Sequence, residues 1–146
     1  MKKRVINTPK QRGQSLVELG LTLIVMMWLL SGAVDFGLGF FSYVAIRDAA
    51  QEGALFGSIN PPTNATEENE IISRIRSSST SPVRLADTSL VDVVIIKPVA
   101  VCAGQPLTVN LTYHYPVSMA LITTVTGPTL NIRASATSTI LKPVCP

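Results

Sequence analysis

The sequence has few of the residues from which catalytic and metal sites are built. Its 146 residues include one histidine, His114, and two cysteines. No Ser-His-Asp set can be assembled, no glycine-rich phosphate loop follows a predicted strand, and no cluster has metal-ligand spacing. A lone histidine between Tyr113 and Tyr115 in a predicted strand is more typical of a strand surface than of catalysis. We therefore predict a protein without enzymatic activity, cofactor or metal.

Charge is also scarce, at 14% of residues against about 25% in an average soluble domain. Five of the twelve Lys and Arg residues lie within residues 1–13, where there is no acid. The other seven, set against all nine Asp and Glu, give the remainder a net charge of −2. The basic excess therefore belongs to a leader, and nothing predicts a nucleic-acid-binding surface.

A long apolar segment follows this leader. The 19 residues 16–34 contain one charged residue, Glu18. As a helix they would extend about 28 Å, close to the roughly 30 Å of a bilayer core. The basic flank favours a cytoplasmic N-terminus. The sequence predicts a single span over about residues 16–38 of the cell (inner) membrane, with Asp35 either marking its outer end or meeting a charge of a partner.

The helix is predicted to continue beyond the membrane, over residues 14–57, because no proline interrupts it before Pro61. Small residues recur every four positions and would form one small-residue stripe, made of Ala45, Ala49, Gly53 and Gly57. Two interpretations remain open. The stripe packs on the chain's own domain, or part of it contacts neighbouring subunits, since small residues let helices approach closely.

Residues 58–146 are predicted to form an extracytoplasmic head. Asn64 or Thr66 can cap a short helix with an acidic first turn. From Thr88 onward, three segments rich in Val, Ile, Leu, Thr and Tyr predict strands. The fold class is therefore α+β, with a long N-terminal helix, a short helix and a three- to four-stranded antiparallel sheet. The apolar segment 118–128 is either a loop or part of the core.

The two cysteines test this topology. In an antiparallel meander, the third strand returns to the turn that holds Cys102, which brings Cys145 beside it. We predict a disulfide between them, formed in an oxidising compartment. Two unpaired thiols are the alternative.

The start of the chain carries a recognisable arrangement. Gly13 closes the basic leader, Gln14 follows, and Glu18 precedes an unbroken apolar helix. This resembles the processing site of type IV pilin-like proteins. The closer resemblance is to the TadE-like family of tight-adherence (Tad) pilus systems, over about residues 12–57. The matching pieces are Arg12-Gly13-Gln14, Val17-Glu18, Asp35-Phe36-Gly37 and the segment 48–54.

This resemblance implies a minor pseudopilin, a structural subunit, with a major filament subunit as the alternative. A prepilin peptidase would cut after Gly13, leaving Gln14 first and Glu18 fifth. The other implied partners are pilins or pseudopilins and the Tad membrane platform, with membrane lipid before assembly and an extracellular pilus after it. Glu18 could then pair with the new α-amine of an adjacent subunit. Methylation of position 14 is not expected, because type IV pilins usually carry Phe there.

Two interpretations from other classes start from the same residues. Small residues at 31–33 resemble a signal-peptidase site, and cleavage after Ala33 would release a secreted binding domain. An uncleaved chain would instead be a membrane-anchored binding domain.

Overall fold

The computed structural model describes residues 12–117, 123–124, 127–142 and 145. The predicted leader lies almost wholly outside the described residues, and so does most of the apolar segment 118–128. Two helices precede three strands, and their bounds are α1 Arg12–Ile59, α2 Ala65–Ser77, β1 Val91–Ile96, β2 Pro106–Pro116 and β3 Thr129–Thr139. The strands form one antiparallel sheet in the order β1-β2-β3. The predicted α+β layout is confirmed.

Helix α1 is 48 residues long because nothing in its sequence interrupts it. It ends where Asn60 is followed by Pro61 and Pro62, which cannot continue a helix. The chain divides into two compact units, residues 1–34 and 35–146, so the boundary falls inside this helix. Residues 35–146, which include the last part of α1, contain the folded core.

In that core, α1 buries one face against α2 and the sheet. Ile46, Ala49 and Ala50 are at most 2% exposed, as are Ile71 of α2 and Val109 of β2. The spacing of the buried α1 residues is three to four positions, which places them on one helical face.

The small-residue stripe is where α1 approaches its own domain most closely. A Cβ at Gly53 would lie 2.5 Å from Ile75 Cδ1 of α2, and one at Gly57 would overlap the side chain of Leu107 on β2. Gly53 and Gly57 therefore pack within the chain's own domain, which was one of the two interpretations of the stripe. A role for the stripe between subunits stays a prediction.

Helix α2 begins with reciprocal capping. Asn64 Oδ1 accepts a hydrogen bond of 2.9 Å from the Glu67 amide, and the Glu67 carboxylate accepts one of 2.7 Å from the Thr63 amide. These bonds satisfy amides that a helix start leaves without partners. Hydrogen bonds from Thr63 also lower the pKa of Glu67.

Strand β2 is the centre of the sheet, and its burial alternates strictly along its length. Its buried side chains face the helices, whereas the alternate side chains form the outer face of the sheet, where β2 contributes Thr108, Asn110, Thr112 and His114. Strand β3 returns alongside β2 to the turn before it, where the Gly104 amide donates to Ile140 O over 2.9 Å.

The predicted cysteine pair is bonded. A disulfide joins Cys102 to Cys145, whose Cα atoms are 5.2 Å apart and which are separated by 43 positions in sequence. For a loop of this size, chain-entropy reasoning gives a stabilisation of about 3–4 kcal/mol. The bond fastens the C-terminus to the turn between β1 and β2.

Candidate functional site

The residues implicated in processing lie in the first turns of α1. Gly13 is exposed, and a Cβ placed on it would have nothing within 4 Å.

Glu18 is exposed and makes only neutral contacts. Its Oε1 accepts a hydrogen bond of 3.2 Å from Gln14 Nε2, and its backbone carbonyl accepts one of 2.8 Å from Thr22 Oγ1. Among the described side chains, no cation lies within ion-pair distance of this carboxylate. A carboxylate in apolar surroundings is unfavourable unless it is paired, so Glu18 is left with capacity for a cationic partner.

The surface around Glu18 is apolar along residues 16–34. Large side chains stand outward there, with Leu16 70% exposed and Trp28 56% exposed. The described part of the chain has one helix long and apolar enough to cross a membrane, with a mean hydropathy of 1.9 in its best window and no residue of that window buried. This helix suggests a single-pass membrane anchor. Lipid, or other apolar helices, would have to cover it.

Two neighbouring residues of the Asp-Phe-Gly triplet differ in solvent exposure. Phe36 is 78% exposed, whereas Asp35 is only 9% exposed. Asp35 Oδ2 is buried without a hydrogen-bond partner among the described residues. A buried carboxylate oxygen without a donor is costly.

Tyr115 is the neighbour of Asp35 that sequence reasoning missed. Its Oη donates a 3.4 Å hydrogen bond to the Asp35 carbonyl, across 80 positions of sequence. The pKa of Tyr115 is raised above its ordinary value. Burial has the largest effect, and electrostatic repulsion from Asp35 and then from Tyr113 adds to it. The strand alternation predicts that Tyr113 and Tyr115 share a face, but it does not predict which helix residue they meet.

A groove of about 440 Å³ runs beside α1 in the second unit, and we call it the flank groove. Apolar side chains on one wall are Leu38, Phe41, Val44, Ala45 and Ala49, and the serine-rich loop 78–82 supplies the other wall. Two acids of α1 line it as well: Glu52, which is paired with Arg74 at 2.8 Å, and the exposed Asp48.

The flank groove divides the small-residue stripe in two. Ala45 and Ala49 line the groove, whereas Gly53 and Gly57 are closed off by Ile75, Ile71 and Leu107. The residues named from the sequence thus fall into two groups. Gly13, Gln14 and Glu18 lie in the first unit, and the remaining residues of the predicted assembly helix lie in the second.

Comparison with known proteins identifies the segment that carries these residues. The family model described as TadE-like protein matches residues 13–55. This confirms the predicted resemblance, and the match lies within α1, outside α2 and the sheet. The TadE-like family is pilin-like and structural and is not a known enzyme family. No curated protein and no solved structure matches the chain.

Proposed function

We propose, from the TadE-like match of α1, that this chain is a minor pseudopilin, a non-enzymatic structural subunit of a Tad-type pilus or a related secretion machine. One observation carries the proposal. The matched segment begins with an exposed apolar stretch, residues 16–34, whose single charged side chain is Glu18. Glu18 stands five residues after Gly13 and has no cationic partner among the described side chains. The position of Glu18 is explained if the chain is cleaved after Gly13 and then assembled with other subunits, because cleavage creates a cationic group that Glu18 can pair with.

The proposed sequence of events starts in the membrane. The subunit is anchored by residues 16–38 with its N-terminus in the cytoplasm and its head outside. A prepilin peptidase cleaves after Gly13 and removes the five basic residues of the leader. Cleavage creates an α-amine on Gln14 that is cationic below its pKa of about 8. The cut chain then leaves the lipid and joins other pilins in a pilus outside the cell. The platform proteins are its partners in this step.

Glu18 acts in the assembly step. We place the Gln14 amine of one subunit beside the Glu18 carboxylate of its neighbour. An ion pair in an apolar helical bundle fixes register more than it adds stability. The hydrogen bond from Gln14 to Glu18 of the same chain is exposed and has an uncharged donor, whereas an α-ammonium group is a cationic and therefore stronger donor to the same carboxylate.

The head end of the helix supplies a second part of the assembly surface. Phe36 and the flank groove are open to a neighbouring helix, and the half-buried Ala45 lets its backbone approach closely. Asp35 is proposed to meet a cationic group of that neighbour. Gly53 and Gly57 are given no such role, because side chains of α2 and β2 already pack against them.

Replacing Gly13 is expected to block processing. In cells that contain the peptidase, Gly13→Val should keep its leader completely, because a β-branched side chain would stand at the cut bond. Gly20→Val is the matched control, since a Cβ on Gly20 also has nothing within 4 Å. The measurement is the intact mass of each membrane-extracted protein. Cleavage of Gly13→Val to the same extent as Gly20→Val would contradict the proposed processing site.

A further inference from the structure

A chain of three polar side chains crosses the outer face of the sheet and connects all three strands. His114 on β2 lies between Asp92 on β1 and Asn131 on β3. Its Nε2 is 3.0 Å from Asp92 Oδ2, and its Nδ1 is 2.7 Å from Asn131 Oδ1. His114 stands directly opposite Asn131 in the register, and Asp92 is diagonal to it because Asp92 faces Thr112.

This chain lies where the pairing between β1 and β2 ends. The last pair of that ladder is Val91 with Tyr113, and beyond it the His114 amide donates to Leu90 O over 2.8 Å. From there Tyr115 and Pro116 are paired only with β3. The His114 side chain therefore supplies the side-chain connection from β2 to both edge strands at this end.

The acceptors around His114 favour a particular protonation state. A carboxylate can only accept hydrogen bonds, and Asn131 turns its amide oxygen, also an acceptor, toward the ring, so in this orientation both ring nitrogens of His114 donate. A neutral imidazole has one N–H, whereas the imidazolium has two. Deprotonation of His114 therefore removes one of the two connections in this orientation of the Asn131 amide.

The charges around His114 come from both edge strands. Asp92 on β1 favours the imidazolium. The charged residue on β3 at this end is Arg133, which faces Thr112 and is thus diagonal to His114. Thr112 and Asn131 are uncharged, and Tyr113 and Tyr115 point to the opposite face of β2. Two hydrogen bonds raise the pKa of His114 above its ordinary value of 6.5. The bond to Asn131 has the largest effect, and the bond to Asp92 has the next largest.

We propose that His114 is a pH-dependent clamp, which in its protonated form holds β1 and β3 onto the end of β2 that carries Tyr113 and Tyr115. Tyr115 is the next residue after His114, and its Oη contacts Asp35 of α1. The clamp thereby links the protonation of an exposed imidazole to the packing of the sheet on the helix. The proposal is independent of the pilus assignment, since it needs only the head.

The raised pKa of His114 fixes the direction of the pH effect. A group that binds its proton more tightly in the folded state stabilises that state when protonated. The contribution of the clamp is fully present below the unfolded pKa, about 6.5, and is lost as the pH rises through the higher folded pKa.

Nuclear magnetic resonance of the full chain in detergent micelles tests the clamp, because His114 is the only histidine of the sequence. The titration midpoint of its imidazole should be lower in Asp92→Asn and in Asn131→Ala than in the wild type. Glu70→Gln, at an exposed acid on α2, should leave the midpoint unchanged. Equal midpoints in the wild type, Asp92→Asn and Asn131→Ala would overturn the proposal.

A second readout separates a clamp from a histidine that merely titrates. The amide of residue 114, bonded to Leu90 O, should lose protection from hydrogen exchange, corrected for intrinsic rates, as the pH rises through the midpoint. In His114→Gln its protection should not depend on pH. Wild-type protection that stays constant through the midpoint would reject the clamp even if the midpoint is raised.

Discussion

Glu18→Gln is expected to enter pilus assemblies roughly a hundredfold to a few thousandfold less than the wild type. Leaving one member of a buried ion pair unpaired costs about 3–5 kcal/mol, and about 1.4 kcal/mol is a factor of ten. The substitution keeps the size of the side chain and its ability to accept from Gln14. It removes only the charge that the neighbour's amine needs. The measurement is the ratio of pilus-associated to membrane-bound subunit, determined by quantitative immunoblotting.

The control for this prediction is a change of the same chemistry elsewhere. Glu70→Gln removes one carboxylate from the exposed side of α2 and should assemble as the wild type does. The N-terminus of Glu18→Gln must be determined in parallel, because an uncleaved chain would fail for another reason. Normal incorporation of a fully cleaved Glu18→Gln protein would show that Glu18 has no pairing role.

The second large effect is expected in the head, where Gly53→Leu should lower the free energy of unfolding by about 1–3 kcal/mol, as overpacked cores do. Even the Cβ of the new side chain would lie 2.5 Å from Ile75 Cδ1, and the remaining atoms need space that α2 occupies. The loss should lower the melting temperature by roughly 4–8 °C per kcal/mol for a domain of this size. Thermal unfolding can be followed through the near-ultraviolet circular dichroism of the buried tyrosines.

Gly39→Leu is the matched control for Gly53→Leu. It lies on the same helix, and a Cβ there has nothing within 4 Å. It should leave the head unchanged or stabilise α1 slightly, since leucine favours helix over glycine by somewhat less than about 1 kcal/mol. Should Gly53→Leu not fold at all, Gly53→Ala retains the Cβ overlap at a smaller volume. If the melting temperatures of both Gly53 variants rose as much as that of Gly39→Leu, packing of Gly53 against α2 would be contradicted.

The sequence predicts the elements of this protein well, because each has a strong local signal. An unbroken apolar segment and two prolines define α1, and an acidic first turn defines α2. The Cys102–Cys145 disulfide follows from topology, since a meander of three strands returns the chain to the first turn. The TadE-like resemblance depends on short segments of α1, and the family match covers the same helix.

Contacts between residues distant in the chain could not be predicted in the same way. The four-residue spacing of the small-residue stripe indicates a shared face but not which members pack on the head, and the structure assigns Gly53 and Gly57 to it. The approach of Tyr115 to Asp35 depends on how the sheet is placed on the helix. The contacts of His114 depend on strand register, which alternation alone leaves open by steps of two residues.

The first residue of the mature protein tests the central claim most directly. Mass spectrometry of the N-terminal peptide, from protein isolated out of the native membrane or pilus, should show a chain that begins at Gln14 with a free α-amine. That result gives Glu18 the partner that its place in the apolar helix requires. A chain beginning at Val34 would instead indicate a secreted domain, and one beginning at Met1 a static membrane anchor. Either result would contradict the pseudopilin account.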